Sequence, residues 1–195
     1  MSSDPTTTPV APDVERKVDD ADTTLQNPRT AVVALGSNLG NRLDMLQGAI
    51  DSLGDTPGMR VKKVSGVYET EPVGGPADQP TYFNAVVLVR TTLPPSSLLE
   101  RANAIEEAYE RVREERWGPR TLDVDILAYE DVITSDDQLT LPHPRAHERG
   151  FVLAPWNEID PDAVVPGHGP VADLLAEVGI EGVTRRDDLS LHLPE

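Results

Sequence analysis

Two aspartates one residue apart, Asp123 and Asp125, stand in the run Arg116-Trp117-Gly118-Pro119-Arg120-Thr121-Leu122-Asp123-Val124-Asp125-Ile126. In a β-strand, alternate side chains share a face. Both carboxylates then project one way, while Leu122, Val124 and Ile126 project into a core. Twice the strand rise puts the two Cα atoms roughly 6–7 Å apart. Carboxylates at that spacing can converge on one cation or bridge a pair. Hard oxygen ligands suit magnesium, which commonly adds substrate phosphates to one or two carboxylates. The plain alternative is two solvated acids on an exposed strand face. Against it, aspartate is a poor strand former and two on one face repel; a bound cation removes that cost.

Cations cluster just upstream. Arg111, Arg113, Arg116 and Arg120 fall within ten residues of a chain with 17 Lys and Arg in all. The planar guanidinium binds phosphate through paired hydrogen bonds. A salt-bridged helix end is the alternative, because Glu107 and Arg111 are spaced for an i,i+4 pair. His143, Arg145, His147 and Arg149 follow Pro142 in a second polar segment. This reads either as a loop supplying His and Arg to a polyphosphate or as ordinary exposed polar residues. Zinc would lack a third ligand at a familiar spacing. Trp117, Tyr82, Phe83 and Phe151 are half of the chain's eight aromatic residues and adjoin loops or polar motifs. Flat aromatic faces suit a planar heterocycle, although Phe83 reads as core. Walker A and G-x-G-x-x-G patterns are absent, so any nucleotide must be held by side chains and metal.

The elements that position these groups follow from periodicity. Ala31 to Leu35 is a short apolar run, a buried strand, and Gly36 to Gly40 is turn chemistry. Leu43, Leu46, Ile50 and Leu53 recur at helical spacing, with Gly54 as the stop. One strand is predicted over 61–69, a loop over 70–81 and a strand over 82–90. A helix follows Pro94-Pro95, with Ser97 and Glu100 spaced as a capping box. Leu98, Ala102, Ile105, Tyr109 and Val112 give it one apolar stripe. Residues 121–129 form the next strand, 131–141 a small hairpin, 142–156 an irregular stretch turning helical, and 171–178 a short helix. The order is strand, helix, strand, strand, helix, strand. That is an α+β fold with a ferredoxin-like βαββαβ core: an antiparallel sheet with helices packed on it, plus appended C-terminal elements.

Composition sets the frame. The 195 residues carry a net charge of −17 and no Cys. A disulfide framework and a thiolate zinc site are excluded, and nucleic acid is an unsuitable partner for so acidic a chain. No apolar run is long enough to span a bilayer, and no secretory signal pattern opens the chain, so a cytoplasmic location is expected. Residues 1–28 are rich in Ser, Thr, Pro and Asp and read as a disordered acidic tail; residues 29–195 read as a single domain. The charge poses a problem for a phosphate-handling protein, which must gather positive charge locally or import it as metal ions.

Taken together, the chain resembles the 6-hydroxymethyl-7,8-dihydropterin pyrophosphokinase family. The matching pieces are Ala34 to Gly40, Tyr68 to Gly74, Asp78 to Asn84, Arg116 to Ile126, Leu141-Pro142-His143 and Arg149-Gly150-Phe151, spanning about residues 31 to 160. The resemblance implies transfer of pyrophosphate from ATP to the pterin hydroxymethyl group, with release of AMP. It implies that Asp123 and Asp125 hold two magnesium ions and that Arg111 and Arg120 act with them in catalysis. It implies ATP contacts at Arg111, Arg113, Trp117, Arg120, Ile126, Thr140, His143 and Arg149. Pterin contacts fall on Thr70, Val73, Tyr82, Asn84, Trp117 and Phe151, and the segments 70–81 and 111–119 are expected to close over ATP. A monomer is implied too. Two departures stand out: Glu71 stands where some members carry a second proline, and one residue is added between Gly74 and Gln79. A metal-dependent phosphohydrolase and a non-catalytic pterin- or nucleotide-binding protein are the rival readings.

Overall fold

The computed structural model describes residues 27–72, 79–110 and 122–195. Strand β1 (Arg29–Ser37) lies inside the main sheet, between two other strands. Its apolar run suits that place. Ala31, Val33 and Leu35 enter one core, and Val32 enters the other with Ala34 beside it. A strand buried on both faces needs no polar alternation. Helix α1 (Arg42–Gly54) follows, capped by Asn41, whose side chain accepts the Asp44 N–H at 3.2 Å. Leu46, Ala49, Ile50 and Leu53 form its buried face. Gly48 permits a close approach: the Tyr109 hydroxyl lies 1.8 Å from where a Cβ would stand. Gly54 is not a left-handed stop; the helix ends on Asp55 in the right-handed region, and the positive φ comes at Gly58, at 80°.

The single strand expected over 61–69 is two. Strands β2 (Met59–Val64) and β3 (Val67–Thr70) both pair with β4 (Tyr82–Thr91), and Ser65 and Gly66 separate them. The break has a chemical bridge. The Ser65 N–H donates to the Val86 carbonyl at 3.0 Å, and the Ser65 hydroxyl accepts the Val86 N–H at 2.9 Å while donating to the Gly66 carbonyl at 2.8 Å. A side chain thus fills a ladder position that a main-chain carbonyl would otherwise hold, and no buried amide is left unpaired.

Helix α2 (Pro95–Glu110) starts with proline in its first position. Ser97 therefore lies inside the first turn, and the expected Ser97–Glu100 capping box does not mark the helix start. The stripe itself holds: Leu98, Ala102 and Ile105 are buried and Tyr109 packs beside them, whereas Val112 lies outside the described residues. Strand β5 (Asp123–Tyr129) pairs antiparallel with β1. Hairpin β6–β7 (Thr134–Ser135, Thr140–Leu141) and helix α3 (Gly150–Ile159) follow. Then come hairpin β8–β9 (Val164–Val165, Gly169–Pro170) and helix α4 (Val171–Val178).

The main sheet runs β10-β3-β4-β1-β5, with β2 also on β4. Each pairing is antiparallel, and the order through β5 is the expected βαββαβ with its second strand broken into β2 and β3. Helices cover both faces, α1 and α2 over one core and α3 with α4 over the other. The last strand, β10 (Val183–Arg186), corrects the picture of merely appended C-terminal elements, because it pairs with β3 and widens the main sheet. It has one apolar residue and no strand signature. Side-chain charge fixes it instead: Arg186 pairs with Glu69 and Asp188, and Arg185 bonds Glu158 at 2.9 Å. Glu158 also accepts the Tyr68 hydroxyl and the Gly66 N–H, each at 2.7 Å, tying α3 to β3.

Ser65→Ala is expected to lower the unfolding free energy by about 1–3 kcal/mol, the usual cost of a buried donor left unsatisfied. Chemical denaturation measures it. An unchanged midpoint would show that the hydroxyl does not carry the strand break.

Candidate active site

The α3 side of the sheet holds a cavity of about 660 Å³, floored by strand residues and walled by the segments around α3 and α4. Register explains its floor. Asn84, Gly36 and Asp123 lie in one row across β4, β1 and β5, and Val86, Ala34 and Asp125 in the next. Toward the opposite edge, Tyr82 faces Thr70, and Thr70 faces Val183. The cavity thus crosses the sheet from the aspartate pair to β3 and β10.

Asp123 and Asp125 are both half-buried and line this cavity, while Val124 and Ile126 are buried on the other side. The phase holds only as far as Ile126. A bulge opposite Val32 and Val33 then sets Leu127 and Ala128 both on the α3 side. Asn84 is buried, and its Nδ2 donates to the Tyr68 carbonyl and the Thr70 hydroxyl, each at 3.0 Å. That fixes the amide and leaves Oδ1 toward Gly36, 3.5 Å from where a Cβ on that glycine would lie. Phe151 stands in the first turn of α3, and the Arg149 guanidinium carbon lies 5.6 Å from its ring centre.

His143 is half-buried. Its Nδ1 accepts the Arg145 N–H at 3.2 Å, and the His143 main-chain N–H donates to the Leu127 carbonyl at 2.8 Å. With Nδ1 an acceptor, a neutral ring carries its hydrogen on Nε2. Burial pushes the imidazole pKa down. Asp125 opposes that shift, and Arg149 and Arg145 reinforce it.

The model of the family described as 7,8-dihydro-6-hydroxymethylpterin-pyrophosphokinase (HPPK) matches residues 32–161. The chain belongs to this family. The 2-amino-4-hydroxy-6-hydroxymethyldihydropteridine pyrophosphokinase of Methylorubrum extorquens is 47% identical over 155 residues, 80% of this chain and 97% of that protein. The one from Synechocystis is 45% identical over 147 residues, 75% of this chain and 74% of the relative. A solved Plasmodium falciparum HPPK-DHPS chain superposes with a TM-score of 0.66 at 15% identity, covering 85% of this chain and 50% of that one. At that identity the likeness speaks for the fold alone, and this chain spans about half the length of that one.

Of the described residues that sequence singled out in this pyrophosphokinase-family chain, most come together. Thr70, Tyr82, Asn84, Asp123, Asp125, His143, Arg149 and Phe151 line the one cavity. Ile126 and Thr140 do not join them: Ile126 turns its side chain into the α1–α2 core, and Thr140 sits in β7 opposite Ser135. Val73, Arg111, Arg113, Arg116, Trp117 and Arg120 lie outside the described residues. Phe83 is core, with the Arg42 guanidinium carbon 3.8 Å from its ring centre. His147 stacks on His168 instead of lining the cavity, their ring centres 3.8 Å apart. Sequence reasoning missed Glu148, Val178, Gly179, Glu181 and Val183, which do line it. Glu148 had a signal, as it lies inside the polar segment between His143 and Arg149. The four others lie beyond the matched family region and had none.

A histidine whose folded pKa lies below its unfolded value favours folding above the unfolded value, and that share fades as pH falls through the folded pKa. An NMR titration should therefore place the His143 midpoint below the ordinary histidine value. Asp125→Asn should move it lower still, because Asp125 is the neighbour favouring the charged ring. A midpoint raised by that substitution would contradict this electrostatic account.

Proposed function

We propose that the chain transfers the pyrophosphoryl group of ATP to the hydroxymethyl oxygen of 6-hydroxymethyl-7,8-dihydropterin, releasing AMP, as a step of folate biosynthesis. The observation that carries this reading is one cavity lined by an aspartate pair, a fixed amide and two aromatic side chains. Membership of the pyrophosphokinase family supports the substrate class.

The two halves of the cavity suit two halves of the reaction. Tyr82 and Phe151 offer aromatic faces for a flat bicyclic ring. Asn84 presents its amide oxygen to ring N–H donors, and Thr70 holds that amide in place. His143 can donate from Nε2 to a phosphate oxygen, and Arg149 can pair with phosphate in two hydrogen bonds. An ATP contact at Ile126 would run through its main chain, since its side chain faces the other core. Arg111, Arg113, Arg120, Trp117, Val73 and Thr140 keep the roles that the family resemblance implies.

Charge argues for a cation. Glu71, Asp123, Asp125, Glu148 and Glu181 line the cavity against Arg145 and Arg149, a poor bed for a polyphosphate. Among the described residues no group of three or more His, Cys, Asp and Glu is placed to hold a metal. Two carboxylates with room for phosphate oxygens nevertheless fit magnesium, which keeps water and substrate ligands. Asp123 and Asp125 would hold it, as two ions. Bound there, magnesium would neutralise phosphate charge and polarise the phosphorus under attack. The hydroxymethyl oxygen loses its proton to solvent water and forms a bond to the β-phosphorus, the bond from that phosphorus to the α–β bridging oxygen breaks, and AMP departs with that oxygen. Arginine and histidine donors stabilise the charge that gathers on the phosphate oxygens.

The same reading makes the protein a cytoplasmic monomer that binds no nucleic acid. No described helix is long and apolar enough to cross a membrane.

AMP release measured with ATP, magnesium and the hydroxymethyl dihydropterin tests the reaction, and pterin-dependent AMP is the expected result. Phosphate released from ATP without pterin would instead support a phosphohydrolase. Asp125→Ala should keep the thermal midpoint and lose turnover by orders of magnitude; near-normal turnover would remove the metal role. Gly36→Ala is a gentler probe. The added Cβ meets only ordinary contacts, 3.5 Å from Asn84 and 3.9 Å from Tyr82, so folding should be normal. It raises the cavity floor beside Asn84, and KM for the pterin should rise more than KM for ATP. Equal KM values to wild type would place the pterin elsewhere.

A further inference from the structure

Strand β5 ends the sheet on its side. It pairs with β1 along one edge and with no other strand among the described residues. In an antiparallel pair, alternate residues turn their main-chain groups away from the partner. Edge amides of that kind usually meet water. The Val124 amide meets a protein group: Glu106, on α2, accepts its N–H through Oε1 at 2.7 Å. Val124 is the residue between the two aspartates, and its amide belongs to the peptide that joins it to Asp123.

We propose that Glu106 is a positioning residue, its carboxylate fixing the Asp123–Val124 peptide so that both aspartates face the cavity. This rests on the reading of Asp123 and Asp125 as the metal-binding pair. Three features make the contact more than an incidental edge bond. The acceptor is a carboxylate, and hydrogen bonds to charged acceptors are the stronger kind. Its base is firm, because Ile105 next to it and Ala102 one turn earlier are buried in the core that also holds Val124. The lock also stands where pairing alone is weak. Only Asp123 to Ile126 keep continuous register with β1, opposite Gly36 to Val33, before the bulge interrupts it. Two like charges on one strand face repel, so the register has to be held against them. A one-residue slip would turn both carboxylates toward the α1–α2 core.

The test compares Glu106→Ala with Glu106→Gln, because glutamine keeps an oxygen acceptor and loses the charge. Three readouts are taken: steady-state kinetics, Mn2+ affinity in the complex with a non-hydrolysable ATP analogue, and hydrogen exchange of the Val124 amide. For Glu106→Ala, kcat should fall about 10- to 100-fold, the range for one lost hydrogen bond to a charged group. KM for the pterin should change little, Mn2+ should bind more weakly and the Val124 amide should exchange faster. Glu106→Gln should restore most of each. Equal loss in both variants would assign Glu106 a charge role and overturn the proposal. Wild-type Val124 exchange in the alanine variant would overturn it as well. Val124 exchange and Mn2+ affinity need no turnover, so they judge this proposal even if the pterin reaction is not found.

Discussion

A β-strand shows its side chains to two faces in alternation, and up to its bulge β5 must satisfy both faces at once. Leu122, just before it, and Val124 and Ile126 within it have to fill the core under α1 and α2, which leaves Asp123 and Asp125 no choice of side. The same alternation on β1 puts Gly36 and Ala34 next to them, residues too small to close the floor. On β4 it brings Tyr82 and Asn84 to the same surface. The cavity is therefore a by-product of phase. Three strands held in register by apolar packing on one face deliver polar, aromatic and acidic groups on the other.

Electrostatics gives that surface a direction. The chain is strongly acidic, and the described wall of the cavity carries more carboxylates than arginines. A polyanion enters such a place only with its own counterions or beside local cations. His143 sits at the junction of these fields. Burial and two arginines favour its neutral ring, and Asp125 favours the charged one. A neutral imidazole that still donates from Nε2 can bond a phosphate oxygen without depending on ambient pH.

Much of this was legible in the residues. The stripe Leu98, Ala102 and Ile105 named a helix face, and Asp123 with Asp125 named a strand face, because both rest on local periodicity. What escaped was decided by contacts between distant segments. The break at Ser65 and Gly66 depends on a hydroxyl meeting the amide of Val86; the Ser-Gly dipeptide is a turn signal, but nothing local names the partner that holds it in the sheet. Ser97 and Glu100 had the spacing of a cap, but Pro95 was already suited to the first helical position. Strand β10 has one apolar residue, so hydropathy was blind to it; its place comes from Glu69 and Glu158, which lie far away in sequence. Glu181 and Val183 reach the cavity only through that pairing.

Strand β10 also bears on how the protein reaches its native state. Glu69 and Arg186 are 117 residues apart, and contacts of such separation are entropically costly to close. β1, α1, β2, β3 and β4 lie close together in the chain and can assemble first. The wall at Thr70 and Val183 is completed only when the far segment docks. Until then an intermediate with most of its sheet formed would still leave one side of the cavity open, so competence to hold a small ring is a late event in folding.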